Sequence, residues 1–213
     1  MNVLVLAAHP DDETLGCGAT VAMLAQKDYF IKLITFTDGV GARKTVAANR
    51  NEKLEMVSKI LGISEYVCGS FPDNKMDVVP LLEVCKFIED NVDFEPDIIF
   101  THHPDCLNVD HSIVYRATIT AFRPQAGKKI QIYSYFVPSS TDYNPMANFN
   151  GNVYYNVEKF VDKKMEALKI YDEEMRKHPH SRSYKNIVNL MKTAGAEVGI
   201  EYAEKFQLIR SIK

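Results

Sequence analysis

The chain has 213 residues, 46% of them hydrophobic and 25% charged, with a formal net charge of −3. That is enough for one domain with a layered core, and the mild acidity leaves no basic footprint for nucleic acid. No apolar run approaches the roughly 18 residues a membrane-spanning helix needs, so no transmembrane segment is expected.

Asn2 to Ala7 is a near-continuous apolar run, as expected of a strand covered on both faces. Thr14 to Lys27 carries apolar residues at helical spacing, and Phe30 to Phe36 reads as a second strand. Strand, helix, strand with so short a connection predicts a right-handed parallel unit. A helix from about Val46 to Leu61, a short strand Glu65 to Cys68 and a helix Val78 to Asn91 continue the alternation. Pro96 to Thr101 is the fourth strand, Ser112 to Phe122 the helix behind it, and Gln131 to Tyr135 the fifth strand. The pattern predicts an α/β fold, a three-layer α/β/α sandwich with a Rossmann-like, mainly parallel sheet.

After Pro138 the character shifts. Residues 139–151 are polar, Asn-rich and irregular, which suits a lid loop or a disordered excursion. Glu158 to Arg176 reads as a helix, 177–183 as a break, Tyr184 to Thr193 as a further helix, and Glu204 to Ile209 as a late strand. The whole chain reads as one domain, 1–137 forming the parallel core and 138–213 a lid loop with a C-terminal helical extension and strand.

The chemistry concentrates at strand ends. His9-Pro10-Asp11-Asp12-Glu13 leaves the first strand, and His102 to His111 leaves the fourth. In an open parallel sheet both loops fall on the edge where ligands bind. An Asp-rich turn that caps the following helix explains the first motif in part, with Asp12 as cap and Glu13 in the first turn. Three adjacent carboxylates repel unless a cation compensates, and that favours metal. His9, Asp12 and His111 can then converge on one ion, and two imidazoles with a carboxylate and an open fourth position form a catalytic zinc arrangement. Zn2+ is inferred from ligand type, so another divalent transition metal would also suit. Asp11, facing the open side, would take a proton from a metal-activated water. His102 and His103 are expected to pack or hydrogen-bond beneath the site, not to ligate. Gly16-Cys17-Gly18 is a weak dinucleotide-loop signal, opposed by the negative charge where a pyrophosphate would sit. A non-catalytic, metal-dependent sugar-binding protein is the other rival.

These motifs resemble the PIG-L/LmbE-like de-N-acetylases. The resemblance rests on His-Pro-Asp-Asp-Glu at His9 and on Asp110-His111. It extends through Thr-Asp-Gly-Val near Asp38, Phe-Pro-Asp-Asn at Phe71, Val-Pro-Ser-Ser-Thr at Val137 and Pro-His-Ser-Arg-Ser at Pro179. It implies a zinc-dependent hydrolase that removes acetyl from an N-acetylhexosamine conjugate, with metal ligands His9, Asp12 and His111 and general base Asp11. Many members carry a histidine where this chain has Asn108, which leaves the oxyanion donor open. Asn108 is expected either as a neutral hydrogen-bond donor near the metal or as a turn former. His180 is an alternative proton donor. Arg43, residues 139–151 and His178 to Ser183 are expected to form the pocket rim, with Arg43 and Arg182 as substrate contacts. Four scattered cysteines without a Cys-x-x-Cys, read with no signal peptide, suggest reduced thiols in a cytoplasmic protein. A homo-oligomer is compatible with all of this.

Overall fold

The structure, a computed structural model, describes residues 1–39 and 50–212. A seven-stranded sheet forms the middle layer, in the order β3-β2-β1-β4-β5-β7-β6. Strands β1 (Asn2–Ala7), β2 (Phe30–Thr35), β3 (Glu65–Cys68), β4 (Ile98–His102) and β5 (Gln131–Tyr135) run parallel. Strand β7 (Ala203–Arg210) returns antiparallel beside β5 and carries β6 (Val153–Asn156) at its outer edge. The three-layer reading holds, and the C-terminal part completes the sheet instead of hanging from it.

The alternation of β1 sets the two cores. Val3, Val5 and Ala7 face helices α1 (Asp12–Ala25), α2 (Arg50–Leu61) and α5 (Val161–Ile170). Leu4 and Leu6 face α3 (Leu81–Asp90) and α4 (Val109–Ala121). The chain's last helix is α6 (Tyr184–Glu197). Ala7 pairs with Thr35, and Val5 with Phe100. The loops after β1, β2 and β4 therefore leave the sheet at one edge. Among the described residues no helix is long and apolar enough to cross a membrane.

Several boundaries differ from expectation. Helix α1 begins at Asp12, so Asp12 is not its cap; Asp11 occupies that position at φ 131° with no side-chain capping bond. Of the expected helix from Val46, only Arg50 onward lies within the described residues. Pro80 delays α3 to Leu81, after a separate 3-10 turn at Met76–Val78. Helix α4 starts at Val109 because Asn108 caps it, accepting the Asp110 N–H, so Asp110 and His111 lie in its first turn. The expected helix 158–176 is regular only from Val161 to Ile170, flanked by 3-10 turns. Strand β6 was not expected.

The 139–151 excursion is tied down. Asn144 Nδ2 donates to the Asp105 carbonyl at 2.8 Å, and the Leu107 N–H donates to the Ser140 carbonyl at 2.9 Å. The Gly16-Cys17-Gly18 signal has a packing explanation. It lies inside α1, and a Cβ on Gly16 would come within 2.3 Å of the Tyr135 ring, whose hydroxyl donates to the Leu6 carbonyl. Close packing, not phosphate, requires that glycine.

Candidate functional site

The loop after β1 is built by its own side chains. Buried Glu13 accepts the Asp11 N–H at 3.0 Å and the Thr14 hydroxyl at 2.7 Å, while the Asp11 carbonyl accepts the Leu15 N–H at 2.8 Å. These bonds hold Asp11 at a positive φ that costs an ordinary residue about 1–3 kcal/mol.

Asp12 is fully buried and gathers donors on one oxygen. Its Oδ2 accepts the His9 N–H at 3.0 Å and lies 3.1 Å from His9 Nδ1, 3.2 Å from His111 Nε2 and 3.6 Å from His102 Nε2. Ligand atoms of His9, Asp12 and His111 all fall within 4.8 Å of one another. Among the described residues, Asp12 Oδ1 and His111 Nδ1 are buried without a hydrogen-bond partner, and His111 Nε2 has only its 3.2 Å approach to Asp12 Oδ2. Buried polar atoms are rarely left so, and two nitrogens and an oxygen at this separation suit a divalent transition ion. The donor set fits a metal.

The other ring nitrogen of His9 is also held. Nε2 lies 3.0 Å from Asp110 Oδ2 and 3.2 Å from Asp73 Oδ1. Asp110 in turn accepts the N–H groups of Asn74 at 2.7 Å and Met76 at 3.0 Å. A carboxylate behind a ligating imidazole fixes its tautomer and orientation. Burial opposes charge on His9, but bonds to Asp110, Asp12 and Asp73 outweigh it and hold its pKa well above the ordinary value. Burial likewise works against the Asp12 carboxylate, yet His111 and His102 pull its pKa well below the usual range. Burial lowers His111, which favours the neutral, ligating form.

His102 supports the site from below, as expected. Its Nε2 accepts the Ala8 N–H at 2.8 Å and its ring stacks on His111 at 3.9 Å. His103 packs against Phe149.

Asp11 faces a cleft of about 270 Å3 whose lining is almost wholly polar. Burial pushes its carboxyl up to about 8, against the pull of Arg182. Arg182 Nη1 donates to Asp11 Oδ2 at 2.9 Å, lies 3.9 Å from Glu174 Oε2, and its Nε donates to the Pro138 carbonyl at 3.1 Å. Arg182, expected as a substrate contact, is thus mostly committed to holding Asp11, because a buried carboxylate needs a partner. His180 lines the cleft; its Nδ1 accepts the Arg182 N–H at 3.0 Å. Asn108 lines it too, as the cap of α4, its Nδ2 donating to Asn74 Oδ1 at 2.9 Å. The turn-forming reading of Asn108 describes what its side chain does here. Of the 139–151 segment, Ser139 reaches the cleft, and Arg43 lies outside the described residues.

Sequence reasoning missed Asp73, Asp110 and Glu174 as site residues. The first two sat inside motifs read as a turn and as a neighbour of His111, and Glu174 lay inside a presumed helix with no signal of its own.

A family model and a curated relative point to one family. Residues 4–122 match the PIG-L family, described as GlcNAc-PI de-N-acetylase. The deacetylase YaiS of Escherichia coli K12, uncharacterised by its own description, is 31% identical over 176 residues, covering 79% of this chain and 89% of that protein. The N,N'-diacetylchitobiose deacetylase of Pyrococcus horikoshii superposes with a TM-score of 0.77 at 17% identity, over 98% of this chain and 83% of that one. GalB, the 4-carboxy-2-hydroxymuconate hydratase of Pseudomonas putida KT2440, does so with a TM-score of 0.77 at 16% identity, over 100% and 97%. At such identities the likeness shows a shared fold, and that fold carries more than one reaction.

Proposed function

The chain belongs to the PIG-L family of GlcNAc-PI de-N-acetylases, and from that premise we propose that it is a metal-dependent hydrolase releasing acetate from an N-acetylhexosamine conjugate. The observation that carries this reading is the juxtaposition of the His9–Asp12–His111 donor set with Asp11, held by Arg182 at the edge of a polar cleft. Zn2+ is the ion these donors suit best, and when bound it polarises a carbonyl and acidifies a water.

The chain's own groups do the rest. Asp11 has one oxygen on Arg182, and its other oxygen receives the proton from the attacking water and hands it to the departing amine. Arg182 keeps that carboxylate from swinging onto the donor set. Asn108 and Asn74, at the cleft wall, supply neutral donors for the carbonyl oxygen, and His180 is placed to serve as a second proton donor. A polar wall of this kind suits the hydroxyls of a sugar. The chitobiose deacetylase acts on an acetylated sugar by its name, which supports the same substrate class here.

The test pairs metal analysis with acetate release across N-acetylglucosamine conjugates carried on lipid, nucleotide and thiol glycosides. One equivalent of metal and acetate release from at least one conjugate are expected. In His111→Ala both should vanish while the circular dichroism spectrum persists. Retention of one tightly bound equivalent by that variant would overturn the ligand set. Water addition to an unsaturated acid without any acetate release would overturn the reaction.

A further inference from the structure

Across the 138–142 strap from the cleft lies a second cavity of about 500 Å3, between α6 and residues 136–149. Its walls are more apolar than polar, with Phe136, Phe149, Ile187, Leu190 and Met191 among them. Its floor is a broken turn of α1. The helix leaves its regular course at Cys17 (φ −144°, ψ 15°). In an unbroken helix the Ala19 N–H would bond the Leu15 carbonyl. Here Lys164 Nζ donates to that carbonyl at 2.8 Å, and Glu204 accepts the N–H groups of Ala19 at 3.2 Å and Thr20 at 2.7 Å. Lys164 and Glu204 are both buried and meet at 2.6 Å.

Four of the five charges around the cavity are already paired. Lys164 and Glu204 neutralise each other at the floor, and Lys205 meets both oxygens of Glu197 at 2.9 Å at the mouth. Exposed Asp142 receives the Ser181 hydroxyl. An anionic ligand would leave water for a wall with no free cation, and a cationic one would find only Asp142, an exposed carboxylate already solvated by water. An apolar one would remove wall and ligand from water together, at roughly 25 cal/mol per Å2 buried. The volume lies inside the usual range for small-molecule sites, about 300–1,000 Å3.

We propose that this cavity is a binding site, separate from the catalytic cleft, for an uncharged molecule bearing an alkyl chain. Nile red, added to the full-length protein, should bind one molecule per chain. It should be displaced by n-decanol, n-octanol and n-hexanol, with affinity falling roughly fourfold for each methylene removed. Decanoate and decylammonium should bind more weakly than decanol. Thr193→Trp narrows the mouth from an exposed helix position, and Leu190→Lys puts a charge on the wall. Each should weaken decanol by about tenfold, equivalent to roughly two methylenes of contact. The proposal is overturned by non-saturable dye binding, by affinity that ignores chain length, or by decylammonium binding more tightly than decanol. It is equally overturned if both variants bind like the parent. Loss of the site as the chain self-associates with rising concentration would make a second copy its occupant, and that too would overturn it.

Discussion

Two buried charged clusters are anchored on α1, one at Asp12 and the other on the backbone of Leu15, Ala19 and Thr20, and they are built on opposite principles. Lys164 and Glu204 form a closed unit in which the ion pair also satisfies three backbone groups of the broken helix. Around His9 the structure brings together Asp11, Asp12, Asp73, Asp110 and Glu174, with Arg182 as the buried guanidinium. That cluster leaves Asp12 Oδ1 and His111 Nδ1 unpartnered. The first cluster is complete as part of the fold. The second keeps spare donor atoms, which is why it carries the proposed metal site.

The contrast can be broken most forcefully at the closed cluster. Glu204→Ala should cost about 3–5 kcal/mol, because it strands a buried ammonium. A urea titration would show this, while metal content per folded chain stays unchanged. The double replacement Lys164→Met with Glu204→Leu should recover only the part due to the stranded ammonium, because the Leu15 carbonyl and the Ala19 and Thr20 N–H groups stay without partners. A neutral single variant would mean that the pair is not what closes the helix break.

The open cluster should respond in rate instead. Asp11→Asn should retain its metal and lose on the order of a hundred-fold or more in turnover. Equal activity across neutral pH would remove Asp11 from the base role. Next in size, Asp110→Asn should weaken metal about ten- to a hundred-fold in chelator competition, because His9 loses the group that orients it. Unchanged affinity would reduce Asp110 to a clamp for the Asn74–Met76 segment. Smallest, Asn108→Ala should cost about 1 kcal/mol through loss of the α4 cap, and Asn108→Asp should restore it. If the aspartate variant regains stability but not activity, the amide also acts in the cleft.

Local pattern made the core of this molecule legible. The apolar run of β1, the helical spacing behind it and the repeat of that alternation locate the parallel sheet, and parallel order brings His9 and His111 to one edge. What was hidden depends on contacts that have no local signature. Arg182 and Asp11 are 171 positions apart, and no spacing rule connects them. From sequence, Arg182 is thus either a substrate contact or a surface ion pair, with no sign that its partner is Asp11. Asp73 and Asp110 read as turn and motif residues because their shared partner, His9, lies on a different loop. Strand β6 is four residues long and half-exposed at the sheet edge, where hydrophobic alternation is weakest. The early end of α5 at Ile170 carries no glycine or proline. The backbone leaves the helical course at Tyr171 (φ −100°, ψ 32°) and passes into the 3-10 turn Asp172–Glu174.

The long reach of Arg182 sets an order of assembly during synthesis. Domains organise from the N-terminus as the ribosome releases them. His9, Asp12 and His111 have all been translated, and with them four of the five parallel strands, β1 to β4, before α5, α6, β7 or Arg182 exist. A nascent chain stalled shortly after β5 thus contains the three proposed metal donors but not the guanidinium that pairs with the Asp11 side chain. Asp11 acquires that partner only when the last third of the chain folds back over the first loop. On the proposed reading, competence for metal and competence for catalysis are in this way separated in time along a single polypeptide.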